Sequence, residues 1–174
     1  QTVGWEVQRV SVHMTAPDYQ MVIAYPLALT PATPGPVVAN AVIATIQTPD
    51  DLDRYRGLLD GAIVLATPPM PTSPRFVQDA FRHGEESLRV FETEGNDLLI
   101  GRYARGQPEQ STFRRQEISA AEVEEFYKSE GVAVVLTASI GSDGTVYATG
   151  HSTTSSARTR ESVENALPTL AVAS

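Results

Sequence analysis

Apolar positions along this chain fall mostly into short alternating or continuous runs, and few segments carry a helical spacing. Residues Trp5 to Met14 alternate, but with a change of phase. Trp5 and Val7 share one parity, whereas Val10, Val12 and Met14 share the other. One extra residue would cause that shift, so a β-bulge is predicted at Gln8-Arg9. Pro17-Asp18 marks a turn, and Tyr19 to Tyr25 reads as the returning strand of a hairpin, with Met21, Ile23 and Tyr25 on one face. Pro26 to Pro36 is proline-rich and reads as a stiff loop. Val37 to Ile46 is apolar and rich in β-branched residues, hence a strand. Thr48-Pro49-Asp50-Asp51 has the signature of a helix start: a Thr cap, Pro in the first turn and acids beside it. Gly57 ends that short helix. Asp60-Gly61 then turns the chain into Ala62 to Thr67, a continuous apolar run of the kind found in buried strands.

The second half carries weaker signals at first. Pro68 to Pro74 is another proline-rich loop. Arg75 to Leu88 is weakly helical, with Phe76, Ala80, Phe81 and Leu88 able to share a face and Gly84 working against it. Leu98 to Tyr103 reads as a short strand, and Gly106 to Gln116 as an exposed loop or β-arm. Ser119 to Glu130 is the clearest helix. Ser119 and Glu122 form a capping box, Val123, Phe126 and Tyr127 give the packed face, and Gly131 lies just past the end. Val132 to Ala138 follows as a buried strand. Gly141 to Gly144 is a turn from which Thr145 to Thr149 pairs back. His151 to Glu161 reads as an exposed Ser/Thr-rich loop, and Leu167 to Ala173 as a last strand. Strands thus outnumber helices. The expected fold is a β-rich α/β (α+β) domain, a mixed sheet or open barrel with a few helices packed on it.

Composition narrows the function classes. The 174 residues suit one domain with a full core. Thirteen Lys and Arg against 21 Asp and Glu give a formal net charge of −8. That balance argues against a nucleic-acid partner, whose phosphates need a basic face. The chain has no cysteine, so disulfides and thiolate metal sites are excluded. No apolar run approaches the roughly 20 residues needed to span a bilayer. The chain starts at Gln1, and both ends fall in or next to strand patterns. An excised fragment of a larger protein is therefore expected.

Candidate chemistry is sparse. His13, His83 and His151 are far apart in sequence, and none forms a zinc motif. His13 sits beside an apolar strand face and reads as a surface or hydrogen-bonded histidine. His83, among Arg82, Glu85 and Glu86, reads as part of a solvated face. Gly150-His151-Ser152 is the nearest approach to a nucleophile elbow, but the second glycine and the helix are missing. Lys128-Ser129 has no phosphate-loop glycines before it. Asp50-Asp51 and Glu124-Glu125 sit at a helix start and on a helix face, where dipole and solvation account for them. No catalytic residue and no metal ligand is assigned.

Two stretches carry a family resemblance. Asp51 to Thr67 reads D-L-D-R-Y-R-G-L-L-D-G-A-I-V-L-A-T, and Glu124 to Ser139 reads E-E-F-Y-K-S-E-G-V-A-V-V-L-T-A-S. Together they resemble the protease-associated domain, in which a glycine leads into a buried strand, then a helix, then a second glycine and apolar strand. Gly61 to Leu65 and Gly131 to Leu136 fill those places. Tyr25-Pro26-Leu27-Ala28, followed by Thr30, Pro31, Gly35 and Pro36, looks like a segment of bacterial zinc peptidases similar to carboxypeptidase Q, in metallopeptidase family 28. Trp5 looks like the entry strand, and Leu167-Pro168 like the closing one. The family's Arg-Gly-x-Cys-x-Phe element is missing, with Pro68 to Glu117 in its place.

That resemblance implies a single protease-associated-like, swivelling β/β/α domain over residues 1–174, with a family-specific insertion at 68–117. It implies a non-catalytic accessory domain of an exported zinc aminopeptidase or carboxypeptidase, secreted or periplasmic. The chain itself holds no cofactor, and the zinc belongs to the absent catalytic domain. The implied partners are the parent peptidase domain, a peptide substrate or a homo-oligomer partner. Met70, Arg75 and Phe76 are the candidate contact loop, apolar tips beside a charge. Two other functions remain open. One is a phosphohistidine-type swivelling carrier using His151, which the run Gly150 to Thr153 before Leu167 to Leu170 loosely resembles. The other is a free-standing peptide- or sugar-binding module.

Overall fold

The computed structural model describes residues 4–68, 76, 82–94, 118–139, 145–147 and 159–173. Backbone contacts divide the chain into two compact units, Gln1–Pro71 with Gln116–Ser174, and Thr72–Arg115.

Among the described residues, the first unit holds seven strands in two sheets. Strands β1 (Val12–Met14) and β2 (Gln20–Val22) form an antiparallel pair, with His13 opposite Met21. The hairpin is therefore as the alternation predicts, and its bend covers residues 16–18 with a cis Ala16-Pro17 bond. The bulge at Gln8-Arg9 is not found, because residues 4–11 belong to no strand. Trp5 is fixed differently, its indole N–H donating to the Thr30 carbonyl at 3.0 Å.

The returning strand is also not continuous. It breaks at Ile23, and β3 (Ala24–Pro26) leaves the hairpin to pair with the main sheet. The remaining strands are β4 (Ala41–Ile43), β5 (Ile63–Leu65), β6 (Val134–Ala138) and β7 (Thr169–Val172). Their order is β3-β7-β6-β5-β4. β3 runs antiparallel to β7, and every other neighbour is parallel. The fold is thus a mixed α/β arrangement, and the main sheet is open rather than closed into a barrel.

Helix α1 (Pro49–Tyr55) forms where the capping signature places it. The Asp51 carboxylate reaches back to accept from the Gln47 and Thr48 amides, each at 3.0 Å. Those bonds hold the Asp51 carboxyl below its ordinary range. The helix ends at Gly57, whose φ of 73° suits a residue without Cβ. Helix α3 (Ala120–Ser129) has the reciprocal Ser119–Glu122 box, with the Glu122 amide donating to Ser119 Oγ at 3.2 Å and the Ser119 amide to Glu122 Oε2 at 2.9 Å. In the second unit, α2 (Glu85–Glu94) starts just after Gly84, so the glycine bounds the helix rather than interrupting it. Residues 77–81 of that predicted segment lie outside the described ones.

A short helix, α4 (Arg160–Glu164), overlaps the end of the expected Ser/Thr loop. Thr159 caps it, accepting from the Ser162 amide at 3.2 Å, while Ser162 Oγ accepts from the Thr159 amide at 3.1 Å. Residues 145–147 do not form the expected return strand. Tyr147 is held by its amide donating to Ser139 Oγ at 2.7 Å. The predicted strand at 98–103, the loop at 106–116, the turn at 141–144 and most of the Pro68–Pro74 loop lie outside the described residues.

The core lies on one face of the main sheet. Val42 and Ala44 of the β4 segment, Val64 and Ala66 of the β5 segment and Val135 of β6 meet Leu52, Tyr55, Val123, Phe126 and Tyr127 from α1 and α3. Val64 and Leu59 are fully buried. The two helix-to-strand turns are sewn to each other: Gly61 N donates to Gly131 O at 2.9 Å, and Ala133 N to Ala62 O at 3.0 Å. The Gly57 amide also donates to the Glu130 carboxylate. Among the described residues, Thr45 Oγ1 is the buried side-chain polar atom without a partner.

Candidate interaction surface

The alternation that predicts the hairpin points its large apolar side chains outward. Met21 is 67% exposed, Ile23 56% and Tyr25 47%, while the intervening Val22 and Ala24 are half-buried. Tyr19, two residues before Met21, is exposed as well. Side chains of this size seldom stand in water as a contiguous row, and such rows commonly mark a contact surface.

Hydrogen bonds organise one end of this row. Ser11 and His13 lie two apart along the chain, and Ser11 Oγ bonds His13 Nε2. The Tyr19 hydroxyl bonds His13 Nδ1 at 2.9 Å, and the two rings stack with centroids 5.6 Å apart. Both imidazole nitrogens are thus engaged, and Tyr19 stacks on the ring of His13, the residue paired with Met21. The Ser–His contact has the connectivity of a nucleophile and base. It nevertheless lies on open surface, where water competes for each bond. Tyr19 orients the ring through a neutral hydroxyl, which cannot stabilise an imidazolium as a carboxylate does.

The expected contact loop is described only at Phe76, which is 94% exposed. Met70 and Arg75 lie outside the described residues, as does His151. His83 is exposed, as a solvated face predicts, and packs edge-on against Phe91 of α2 at 4.9 Å between centroids, an aromatic contact within the second unit. Among the described residues, no group of three His, Asp or Glu side chains stands close enough to hold a metal ion. No helix among them is long and apolar enough to cross a membrane.

Sequence reasoning picked out Met21, Ile23 and Tyr25 as a face but assigned that face no role. It also missed the Ser11–His13–Tyr19 group. A signal for the surface exists. No Asp, Glu, Lys, Arg or His occurs from Tyr19 to Pro49, in a chain whose residues are 20% charged. A solvated surface of that length normally carries several charges. The absence of charge is what a covered surface needs, since a buried unpaired charge is costly.

These features define an α/β domain with an open, mostly parallel sheet and an exposed apolar hairpin. Compared with known proteins, the chain matches no protein-family model, no curated protein and no solved structure.

Proposed function

We propose that this chain is a non-catalytic accessory domain of an exported zinc peptidase, and that it docks on the peptidase domain through the exposed row Tyr19, Met21, Ile23 and Tyr25, which runs from the hairpin into β3. Docked there, it shapes substrate access to a cleft whose zinc ligands belong to the partner domain. The observation that carries the reading is the exposed, charge-free apolar row. The sequence resemblance to protease-associated domains supplies the partner's class. Inserted domains of this kind act by walling a cleft and contacting neighbours.

The test uses the parent polypeptide with Met21→Asp and Ile23→Asp together. Both sites are exposed, so the folded domain should lose no more than about 0.5 kcal/mol. If the reading is right, hydrolysis of long peptides and of small chromogenic substrates changes by different factors in the variant. Identical kinetics on both substrates would refute the docking role. A parent gene without a two-zinc ligand pattern beside this segment would refute the peptidase assignment.

A further inference from the structure

We propose that two copies of this chain associate through β4, pairing antiparallel about a two-fold axis at Val42 to continue the sheet from one copy into the next. The inference is independent of the peptidase reading.

β4 is the last strand of the main sheet among the described residues, with β5 on one side and no described strand on the other. In a parallel ladder, alternate residues of an edge strand bond inward and the rest turn their backbone groups away. The inward set is marked by Ile63 N donating to Asn40 O and Ala44 N donating to Leu65 O, each at 3.0 Å. Val42 lies between them in the same phase. Ala41 and Ile43 therefore aim their amides and carbonyls outward. Both residues are exposed, Ile43 by 52%, and Val38 just before them by 90%.

Natural edge strands are usually protected by Lys, Pro, a bulge or a covering element. Here Val37 to Thr48 contains no charged residue and no proline. Nor does any described element pair with the outer side. A row of free backbone groups flanked by Val and Ile is a template for another strand.

Symmetry and charge select a second copy as that strand. With the axis at Val42, Ala41 of one copy faces Ile43 of the other, and the reverse. Both residues of each pair have outward groups, so each pair exchanges two hydrogen bonds, while Val42 meets Val42 as the non-hydrogen-bonded pair between them. That alternation is the one an antiparallel ladder requires. A C2 contact needs such self-complementarity. Each copy carries a net charge of −8, so like copies repel over most of their surface. The charge-free edge lets them meet without placing like charges opposite each other.

The chain lacks cysteine, which makes the register directly testable. Directly opposed Val42→Cys residues would lie about 4.5 Å apart by Cα, within disulfide range. Ile43→Cys would face Ala41 and has no cysteine opposite. Sedimentation equilibrium of the full chain from micromolar to millimolar concentration should show a monomer–dimer equilibrium. Ala41→Pro removes an outward N–H and no bond to β5, and should weaken association at least tenfold with circular dichroism unchanged. Ile43→Lys, which keeps the backbone intact, should do the same and decides the matter if the proline variant unfolds. Under mild oxidation, Val42→Cys should yield covalent dimer much faster than Ile43→Cys. A monomer at every concentration overturns the proposal, including one that binds a foreign strand instead. So does a dimer insensitive to both edge substitutions, or equal cross-linking at both positions.

Discussion

Tyr127 joins the core of the sheet to its backbone, and its hydroxyl carries a measurable share of that join. It is 4% exposed and donates to the Ala44 carbonyl at 2.7 Å. Replacing it with Phe keeps the ring and orphans the carbonyl, so Tyr127→Phe should cost about 1–2 kcal/mol, read from the denaturant midpoint. Burial, with Tyr55 beside it, pushes the phenol up to about 12. An unfolded tyrosine releases its proton near pH 10. The folded chain thus holds this proton longer, and the contribution to stability is whole below about pH 10 and is lost as pH rises through about 12. The Phe variant should lack that part of the alkaline decline. Two glycines make a second comparison. Both Gly57 and Gly131 have positive φ. A Cβ at 57 meets open space, whereas one at 131 lands 2.7 Å from Asp60 Oδ1. Gly57→Ala should cost the backbone strain alone, about 1 kcal/mol, and Gly131→Ala should cost more. Equal losses in thermal melts would show that Asp60 simply moves aside.

Elements whose signals are local were legible in the sequence, and those that depend on distant partners were not. Thr48, Ser119, Gly57 and Gly131 act within one helical turn, so residue type alone marks α1 and α3. Helix α4 uses the same reciprocal cap, but with Ser162 where Glu or Gln normally signals the box, and it spans only Arg160–Glu164. The break at Ile23 is invisible for another reason. The alternation runs unbroken from Tyr19 to Tyr25, while the pairing partner changes from β1 to β7, and partners are a property of the tertiary fold. The same alternation leaves burial open, since period 2 identifies a face without saying which side is wet. Ser119 offers a test at this scale. Ser119→Ala removes the oxygen that accepts from the Glu122 amide, and should lower stability by about 1 kcal/mol. The loss should be absent when Ser119 is replaced by Asp, which caps equally well. Failure of Asp to rescue, in urea melts of the two variants, would mean that Ser119 matters through something other than the cap.

At the scale of the whole molecule, the described core of the sheet unit is built from that unit's own residues. Every member of the described core cluster, from Val42 to Leu167, belongs to Gln1–Pro71 or Gln116–Ser174. Ile118, which resumes the sheet unit just after Thr72–Arg115, is itself 4% exposed and part of that core. The strands on either side, β5 and β6, are direct parallel neighbours, so their pairing closes whatever chain lies between them. Loop closure of a flexible chain costs only slowly more with length, so replacing residues 72–115 by a short Gly/Ser linker that leaves Ile118 in place should not destabilise the sheet. On loop entropy alone it should gain about 1 kcal/mol. The variant should keep a single cooperative unfolding transition and resist urea at least as well as the full chain. A loss of cooperativity would show that the sheet unit draws part of its stability from the second unit. In that case the division of the chain would be one of geometry and not of energetics.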